Sequence, residues 1–205
     1  MAATRIAVLD YGMGNLHSVA RAIANVGGRP DVTDDPRVVG SATALVIPGV
    51  GAFGACMRAL VERGLDRAIR DFVTTGRPVF GVCLGMQVLC KQSDEDPDAG
   101  LAIVPGGCRR LPSTVKVPHM GWNTVSWTAP HPYLQGIPDQ TRFYFVHSYA
   151  PDVIDGVTVG VTEHGRPFSA VVAQGNVFAT QFHPEKSSDA GLQIYATFVE
   201  AVAAA

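Results

Sequence analysis

Arg77-Pro-Val-Phe-Gly-Val-Cys-Leu-Gly-Met-Gln-Val-Leu-Cys-Lys91 is the stretch from which the rest of the chain can be read. The apolar residues up to Val82 predict a buried strand, and the spacing of Met86, Leu89 and Cys90 predicts the core face of a helix starting near Leu84. Cys83 falls in the bend between them. Gly81 and Gly85 flank it, giving Gly-x-Cys-x-Gly, the thiol counterpart of a nucleophile elbow in which small neighbours allow a sharp turn and leave the nucleophile exposed. At a helix start, free backbone N–H groups favour a thiolate, and the Leu84 N–H can serve an oxyanion forming beside the sulfur. The competing reading is that Cys83, like Cys90, is a small core residue.

Around this stretch the chain reads as alternating strands and helices. Arg5–Asp10 and Ala44–Ile47 are short apolar strands, each followed by a glycine-broken loop. Val19, Ile23 and Val26 mark a helix closed by Gly27-Gly28, and Cys56 to Thr75 carries one helical periodicity ended by Gly76. Strand, glycine loop, helix is the beginning of a parallel α/β sheet. The Gly12/Gly14 pair is a weak nucleotide signal, because the third glycine of the dinucleotide fingerprint is missing and no acidic residue ends an obvious second strand. Pro48-Gly-Val-Gly-Ala-Phe-Gly54 leaves a strand next to the one ending at Cys83, at the edge where such sheets bind ligands. Gly49 lets its peptide reorient, so the Val50 N–H is the candidate second oxyanion donor.

Past Lys91, residues 92–100 read as an acidic surface loop. The later half alternates or runs apolar at Arg142–Tyr149, Val157–Glu163, Ser169–Ala173 and Asn176–Phe182, with Gln174-Gly175-Asn176 turning a hairpin. Leu192, Tyr195, Ala196 and Val199 predict a closing amphipathic helix. The fold class expected is α/β: an open mixed sheet, mainly parallel in its first half with antiparallel additions, flanked by helices, in one domain over residues 1–205.

Composition sets limits. With 47% apolar and 17% charged residues the chain reads as soluble and globular, and a net charge of −2 gives no reason to expect nucleic acid. No apolar run approaches the roughly 20 residues of a spanning helix. The four cysteines lack Cys-x-x-Cys spacing, so no metal is expected. No leader is read in Met1–Thr4, and a reducing cytoplasm is the expected location.

A cysteine nucleophile needs a base, and the base needs a carboxylate to fix its tautomer. His183 and Glu185 fit those jobs: two residues apart in extended chain, their side chains leave on the same face, with Pro184 stiffening the link. His147, among aromatics in Phe-Val-His-Ser-Tyr, is the rival base or a substrate-framing residue.

Gly81-Val-Cys-Leu-Gly-Met-Gln87 with His183-Pro-Glu185 resembles the triad-type, class I glutamine amidotransferases. Asp10-Tyr-Gly-Met-Gly-Asn15, Pro48–Phe53, Lys116-Val-Pro-His-Met-Gly-Trp-Asn123, Tyr144–Tyr149 and Gln181–Ser187 narrow the resemblance to the glutaminase subunits of imidazole glycerol phosphate synthase. It implies that Cys83, His183 and Glu185 hydrolyse glutamine, with Val50 and Leu84 holding the oxyanion. Gly49, Gln87 and the Ser148-Tyr149 backbone would frame the substrate. It further implies no cofactor, and ammonia delivery within a heterodimer to a (β/α)8-barrel cyclase in histidine biosynthesis. Asn15, Trp122, Asn123, Tyr144 and Lys186 would then lie at the interface or take part in gating. Three readings stand beside it: a triad glutaminase of another pathway such as vitamin B6 synthesis, a γ-glutamyl or peptide cysteine hydrolase, and a non-enzymatic regulatory subunit.

Overall fold

A computed structural model describes residues 5–204; the expectations for Met1–Thr4 and for the ends of a 1–205 domain lie outside the described residues. In chain order the elements are β1 (Arg5–Leu9), α1 (Leu16–Asn25), β2 (Arg29–Thr33), α2 (Pro36–Ser41), β3 (Ala44–Ile47), α3 (Phe53–Glu62), α4 (Leu65–Thr74), β4 (Val79–Val82), α5 (Leu84–Leu89), β5 (Gln92–Ser93), β6 (Gly107–Arg110) and β7 (His119–Trp127). Then follow β8 (Thr141–His147), β9 (Tyr149–Pro151), β10 (Thr158–Glu163), β11 (Pro167–Gln174), β12 (Val177–Thr180) and α6 (Ser188–Ala204), with 3-10 turns at Pro132–Leu134 and Pro184–Lys186.

Nine strands form one sheet in the order β2-β1-β3-β4-β12-β11-β10-β7-β8, and β5-β6-β9 form a small second one. The first five run parallel to their neighbours and the rest are antiparallel, so the mixed sheet read from the sequence is the sheet observed. Strand residues alternate between two cores. Ile6, Val8, Phe80 and Val82 pack with α1 and α6 on one face, while Ala7, Leu9, Leu45 and Val79 pack with α3, α4 and α5 on the other. Burial on both faces is why the parallel strands are apolar throughout. Full burial of a side chain such as Phe80 or Phe178 stabilises by about 1.5–3 kcal/mol each.

Several local expectations are corrected. The span Cys56–Thr75 is two helices, not one: the chain breaks after Glu62 and Gly64 takes φ 67°, a left-handed conformation that suits glycine. Strand β2 and helix α2 were not read from the sequence. β2 is a sheet edge with a polar, half-exposed pattern, which tolerates Pro30. Asp35 caps α2 by accepting from the Arg37 N–H at 2.8 Å, and Pro36 sits in its first turn. An acidic pair, Asp34-Asp35, therefore does follow a second strand, but the Asp35 carboxylate is engaged in capping. The predicted core face of α5 proves to be no face, since every residue from Leu84 to Leu89 is buried. In α6 the buried stripe is Gly191, Ile194, Tyr195, Phe198, Val199 and Val202, with Leu192 and Ala196 only half-buried beside it. The predicted strand Arg142–Tyr149 is divided at Ser148, where the chain passes from the large sheet to the small one.

Candidate active site

Parallel pairing of β4 with β3 and with β12 aligns three carboxyl ends, because Val82 stands opposite Thr180 and Gly81 opposite Ile47. The loop after β3, the bend after β4 and the segment after β12 therefore meet at one edge of the sheet. Among the residues lining a cavity of about 380 Å³ there are Val50, Cys83, Leu84, Gln87, Ser148, Tyr149 and His183, all singled out from the sequence, together with His147 and Glu95.

The expectation of an exposed nucleophile is corrected: Cys83 lines the cavity but is only 5% exposed. Its backbone has φ 54° and ψ −109°. A non-glycine residue held in such a region stores about 1–3 kcal/mol unless its surroundings fix it. Here the Cys83 N–H donates to the Thr180 carbonyl at 2.7 Å, and the Cys83 carbonyl accepts from Met86 and Gln87 at 3.0 and 3.2 Å. Gly85 is needed for the same bend, because a Cβ there would collide with the Ile47 carbonyl oxygen. Cys90 and Cys108 are wholly buried core residues, and burial pushes the Cys56 thiol up to about 12.

His183 Nδ1 lies 2.8 Å from Glu185 Oε1, with both side chains almost fully buried. The expected reason for this pairing is corrected: the link is not extended strand. β12 ends at Thr180, and a 3-10 turn at Pro184–Lys186 folds the carboxylate back under the imidazole. Ser187 fastens the turn, donating to the His183 carbonyl at 2.6 Å and accepting from the Tyr144 N–H at 3.0 Å. Burial alone would lower the imidazole, but the neighbouring Cys83 sulfur and the Glu185 carboxylate outweigh it and lift His183 to about 10. His183 Nε2 is buried and makes no hydrogen bond within the protein.

The rival base is otherwise engaged. His147 Nδ1 contacts the Tyr149 carbonyl at 2.9 Å and Nε2 contacts His119 Nδ1 at 3.0 Å, so neither nitrogen is free for the sulfur. Burial, reinforced by His119, pushes its imidazole down to about 3.

The backbone N–H groups expected as oxyanion donors are in a closed arrangement. The Leu84 N–H is directed at the Gly49 carbonyl oxygen at 3.4 Å, so the Gly49–Val50 peptide presents its oxygen, not its N–H, to the mouth of the site. Gly49 is packed so closely that an added Cβ would stand 2.5 Å from Tyr11 Oη and 2.8 Å from the Gly85 nitrogen. Tyr11 Oη donates to the Pro48 carbonyl at 2.5 Å and pins the loop just before that peptide.

Two residues beside the site were given no role of their own from the sequence. Glu95, in a loop read as acidic surface, lines the cavity and accepts from the Phe53 N–H at 2.9 Å, closing the loop onto the start of α3. Gln181, fully buried, donates to Cys83 Sγ at 3.6 Å and accepts from Gln87 Nε2 at 3.0 Å. A run of acids carries no local signal, and Gln181, which opens the Gln181–Ser187 stretch just past β12, carries none for its contact with Cys83; the topology brings both in.

Residues assigned to an interface fall in two settings. Trp122 and Tyr144 are cross-strand partners with rings 6.3 Å apart, Lys186 Nζ lies 5.9 Å from the Tyr144 ring, and Met120 beside them is 63% exposed. Asn15 precedes α1 and makes no side-chain cap. Asn123 differs: its amide turns to His119 Nε2 at 3.2 Å and to the Glu163 carbonyl at 3.0 Å. Among the described residues no helix is long and apolar enough to cross a membrane.

Compared with known proteins, residues 7–201 match the family model of the class-I glutamine amidotransferases. The chain is 47% identical to the imidazole glycerol phosphate synthase subunit HisH of Aromatoleum aromaticum, over 95% of this chain and 97% of that protein. It is 48% identical to the subunit of the same name from Moorella thermoacetica, over 96% and 95%, and 44% identical to that from Methanothermobacter thermautotrophicus, over 97% and 100%. Among solved structures, a crystal structure of a glutamine amidotransferase superposes with a TM-score of 0.75 at 20% identity, covering 96% of this chain and 98% of that one. PurLQS from Thermotoga maritima gives 0.75 at 17%, covering 98% and 99%. At these identities the structures speak for the fold alone.

Proposed function

The chain belongs to the class-I glutamine amidotransferase family, and from that premise we propose how its site works and what it serves. It is the glutamine amidotransferase subunit of imidazole glycerol phosphate synthase in histidine biosynthesis, the activity named for relatives at 44–48% identity over nearly the whole chain. The alternative acceptors and the non-enzymatic reading are not favoured.

In the mechanism we assign, Cys83 attacks the side-chain amide carbon of glutamine, the carbon–nitrogen bond breaks, and the proton held on His183 leaves with ammonia. Water, deprotonated by the same imidazole, then hydrolyses the γ-glutamyl thioester to glutamate. Glu185 fixes the imidazole tautomer and stabilises its charged form. The observation that carries this assignment is the Glu185-bound imidazole and the Cys83 sulfur lining one cavity at the sheet edge. Gln87, Glu95 and the Ser148-Tyr149 backbone frame the amino-acid end of the substrate, Glu95 offering a carboxylate to its ammonium group.

The closed oxyanion arrangement supports a gate. Turning the Gly49–Val50 peptide would free the Leu84 N–H and aim the Val50 N–H at the oxyanion, while Val50, being β-branched, resists the altered φ. A partner that favours the turned state makes turnover conditional on its presence. We assign that role to a (β/α)8-barrel cyclase which receives the ammonia in a heterodimer, docking near Trp122, Tyr144, Lys186 and Asn15. One amidotransferase domain over residues 1–205, working in the cytoplasm without cofactor, completes the reading. Four free, buried cysteines agree with a reducing compartment.

The test is Cys83→Ala in the reconstituted complex. Glutamine-driven synthesis should vanish while synthesis from an added ammonium salt persists; surviving glutamine-driven synthesis would overturn the assignment.

A further inference from the structure

Six polar groups run from the sheet to the nucleophile in one continuous chain. Asn123 Nδ2 meets His119 Nε2 at 3.2 Å, His119 Nδ1 meets His147 Nε2 at 3.0 Å, and His147 Nδ1 meets the Tyr149 carbonyl at 2.9 Å. That carbonyl also accepts from Gln87 Nε2 at 2.8 Å, whose other hydrogen goes to Gln181 Oε1 at 3.0 Å, and Gln181 Nε2 donates to Cys83 Sγ at 3.6 Å. His119 and His147 are opposed on β7 and β8, with only 5% and 6% of their surface exposed.

The direction of every bond is forced. A carbonyl oxygen only accepts, so His147 Nδ1 carries the hydrogen, and a neutral imidazole has one. His147 Nε2 is then an acceptor and His119 Nδ1 its donor. His119 Nε2 must accept in turn, and it faces the NH₂ of Asn123. The orientation of that amide is fixed independently, because Asn123 Oδ1 accepts from the Thr124 N–H at 2.8 Å and the second Nδ2 hydrogen goes to the Glu163 carbonyl. A proton added to His147 Nε2 would face the N–H of His119 at 3.0 Å. His119 stacks on Phe145 and His164, at 4.9 and 4.2 Å, and is only 5% exposed. Consistent with this, burial followed by His164 lowers His119 to about 4, and burial followed by His119 lowers His147 to about 3.

We propose that His119 and His147 are positioning residues of the glutaminase reaction: a neutral, one-way hydrogen-bond relay that holds the Tyr149 carbonyl and, through Gln87 and Gln181, aims an N–H at the catalytic sulfur. The proposal rests on the glutaminase reading above. Without the His147 donor the Tyr149 carbonyl, whose residue stays paired with Arg110 in the small sheet, is held by Gln87 alone. The Gln87 amide is then less firmly oriented, and Gln181 can rotate its amide so that oxygen instead of N–H faces the sulfur. The two imidazoles touch no substrate atom in this scheme.

The test uses the complex reconstituted with the cyclase partner, reading glutamine-driven and ammonium-driven synthesis side by side. His147→Leu and His119→Leu should each lower glutamine-driven kcat/KM about 10-fold, as loss of one oriented hydrogen bond predicts, with ammonium-driven synthesis unchanged. The double variant should be no worse than either single one, since both break the same chain. His147→Asn, which puts an amide N–H where Nδ1 stands, should recover to within about threefold of wild type. Independently of any variant, the ¹⁵N imidazole spectrum of the wild-type complex should show both rings in the neutral Nδ1–H tautomer from pH 5.5 to 8.5. The relay is overturned if His147→Leu keeps full glutamine-driven kcat/KM, if Asn fails to rescue where Leu is impaired, or if the spectrum shows the Nε2–H tautomer. A wild-type complex that makes product from ammonium salt but not from glutamine would instead refute the glutaminase reading.

Discussion

At Cys83 the backbone carries as much of the account as the sulfur, since φ 54° and ψ −109° put the side chain at the mouth of the sheet and three backbone hydrogen bonds hold it there. Gly81-x-Cys83-x-Gly85 made that bend legible in the sequence, but the sequence could not supply the reason Gly85 is required, its contact with the Ile47 carbonyl. Gly85→Ala should therefore destabilise by about 3 kcal/mol or more, measured by urea unfolding; a loss below about 1 kcal/mol would contradict the packing described. For His183, lifted to about 10 from an unfolded value near 6.5, the stabilisation from its charged form is fully present below pH 6.5 and is lost as pH rises through 10. The difference in thermal midpoint between wild type and Glu185→Gln should accordingly be large at pH 6 and narrow towards pH 10.5. The same substitution should lower glutamine-driven kcat by about 100-fold or more, because the imidazole loses its orienting acceptor.

Among the elements, those buried on both faces were legible because nothing but apolar residues can occupy them: β1, β3, β4 and the start of α5 fall where the sequence put them. β2 and α2 escaped because an edge strand and a capped six-residue helix need few apolar residues. The single long helix read over Cys56–Thr75 failed for another reason. Its periodicity continues in phase across Gly64, and only the left-handed φ of that glycine reveals the break between α3 and α4. No heavy atom lies within 4 Å of the position a Gly64 Cβ would take, so Gly64→Ala tests conformation without a clash. It should lower stability by about 1 kcal/mol while leaving glutamine turnover in the complex unchanged. The contact of Glu95 with Phe53 and the pairing of His119 with His147 were illegible, because the partners lie 42 and 28 residues apart along the chain, although His147 itself stood out as a rival base or substrate-framing residue.

For the whole molecule, three segments meet at one sheet edge, and the proposed relay lies behind them. His119 and His147 are kept neutral in the fold but charge in the unfolded chain below about pH 6.5. Their contribution is thus present above that value and eroded as pH falls towards about 4 and about 3. Stability should drop steeply between pH 6.5 and 4, and less steeply in the His119→Leu/His147→Leu double variant; parallel curves would contradict it. Because the Leu84 N–H rests on the Gly49 carbonyl, the chain alone should turn over glutamine at least about 100-fold more slowly than the complex, the effect of a missing oxyanion donor. The most direct measurement of the central claim, that the sulfur of Cys83 acts together with His183 on glutamine, is mass-spectrometric mapping of the complex after treatment with a glutamine-mimicking chloroketone. The account predicts one adduct, on Cys83, blocked by excess glutamine and formed far more slowly in His183→Ala; labelling that ignores glutamine, falls on another cysteine or is untouched by loss of His183 would contradict it.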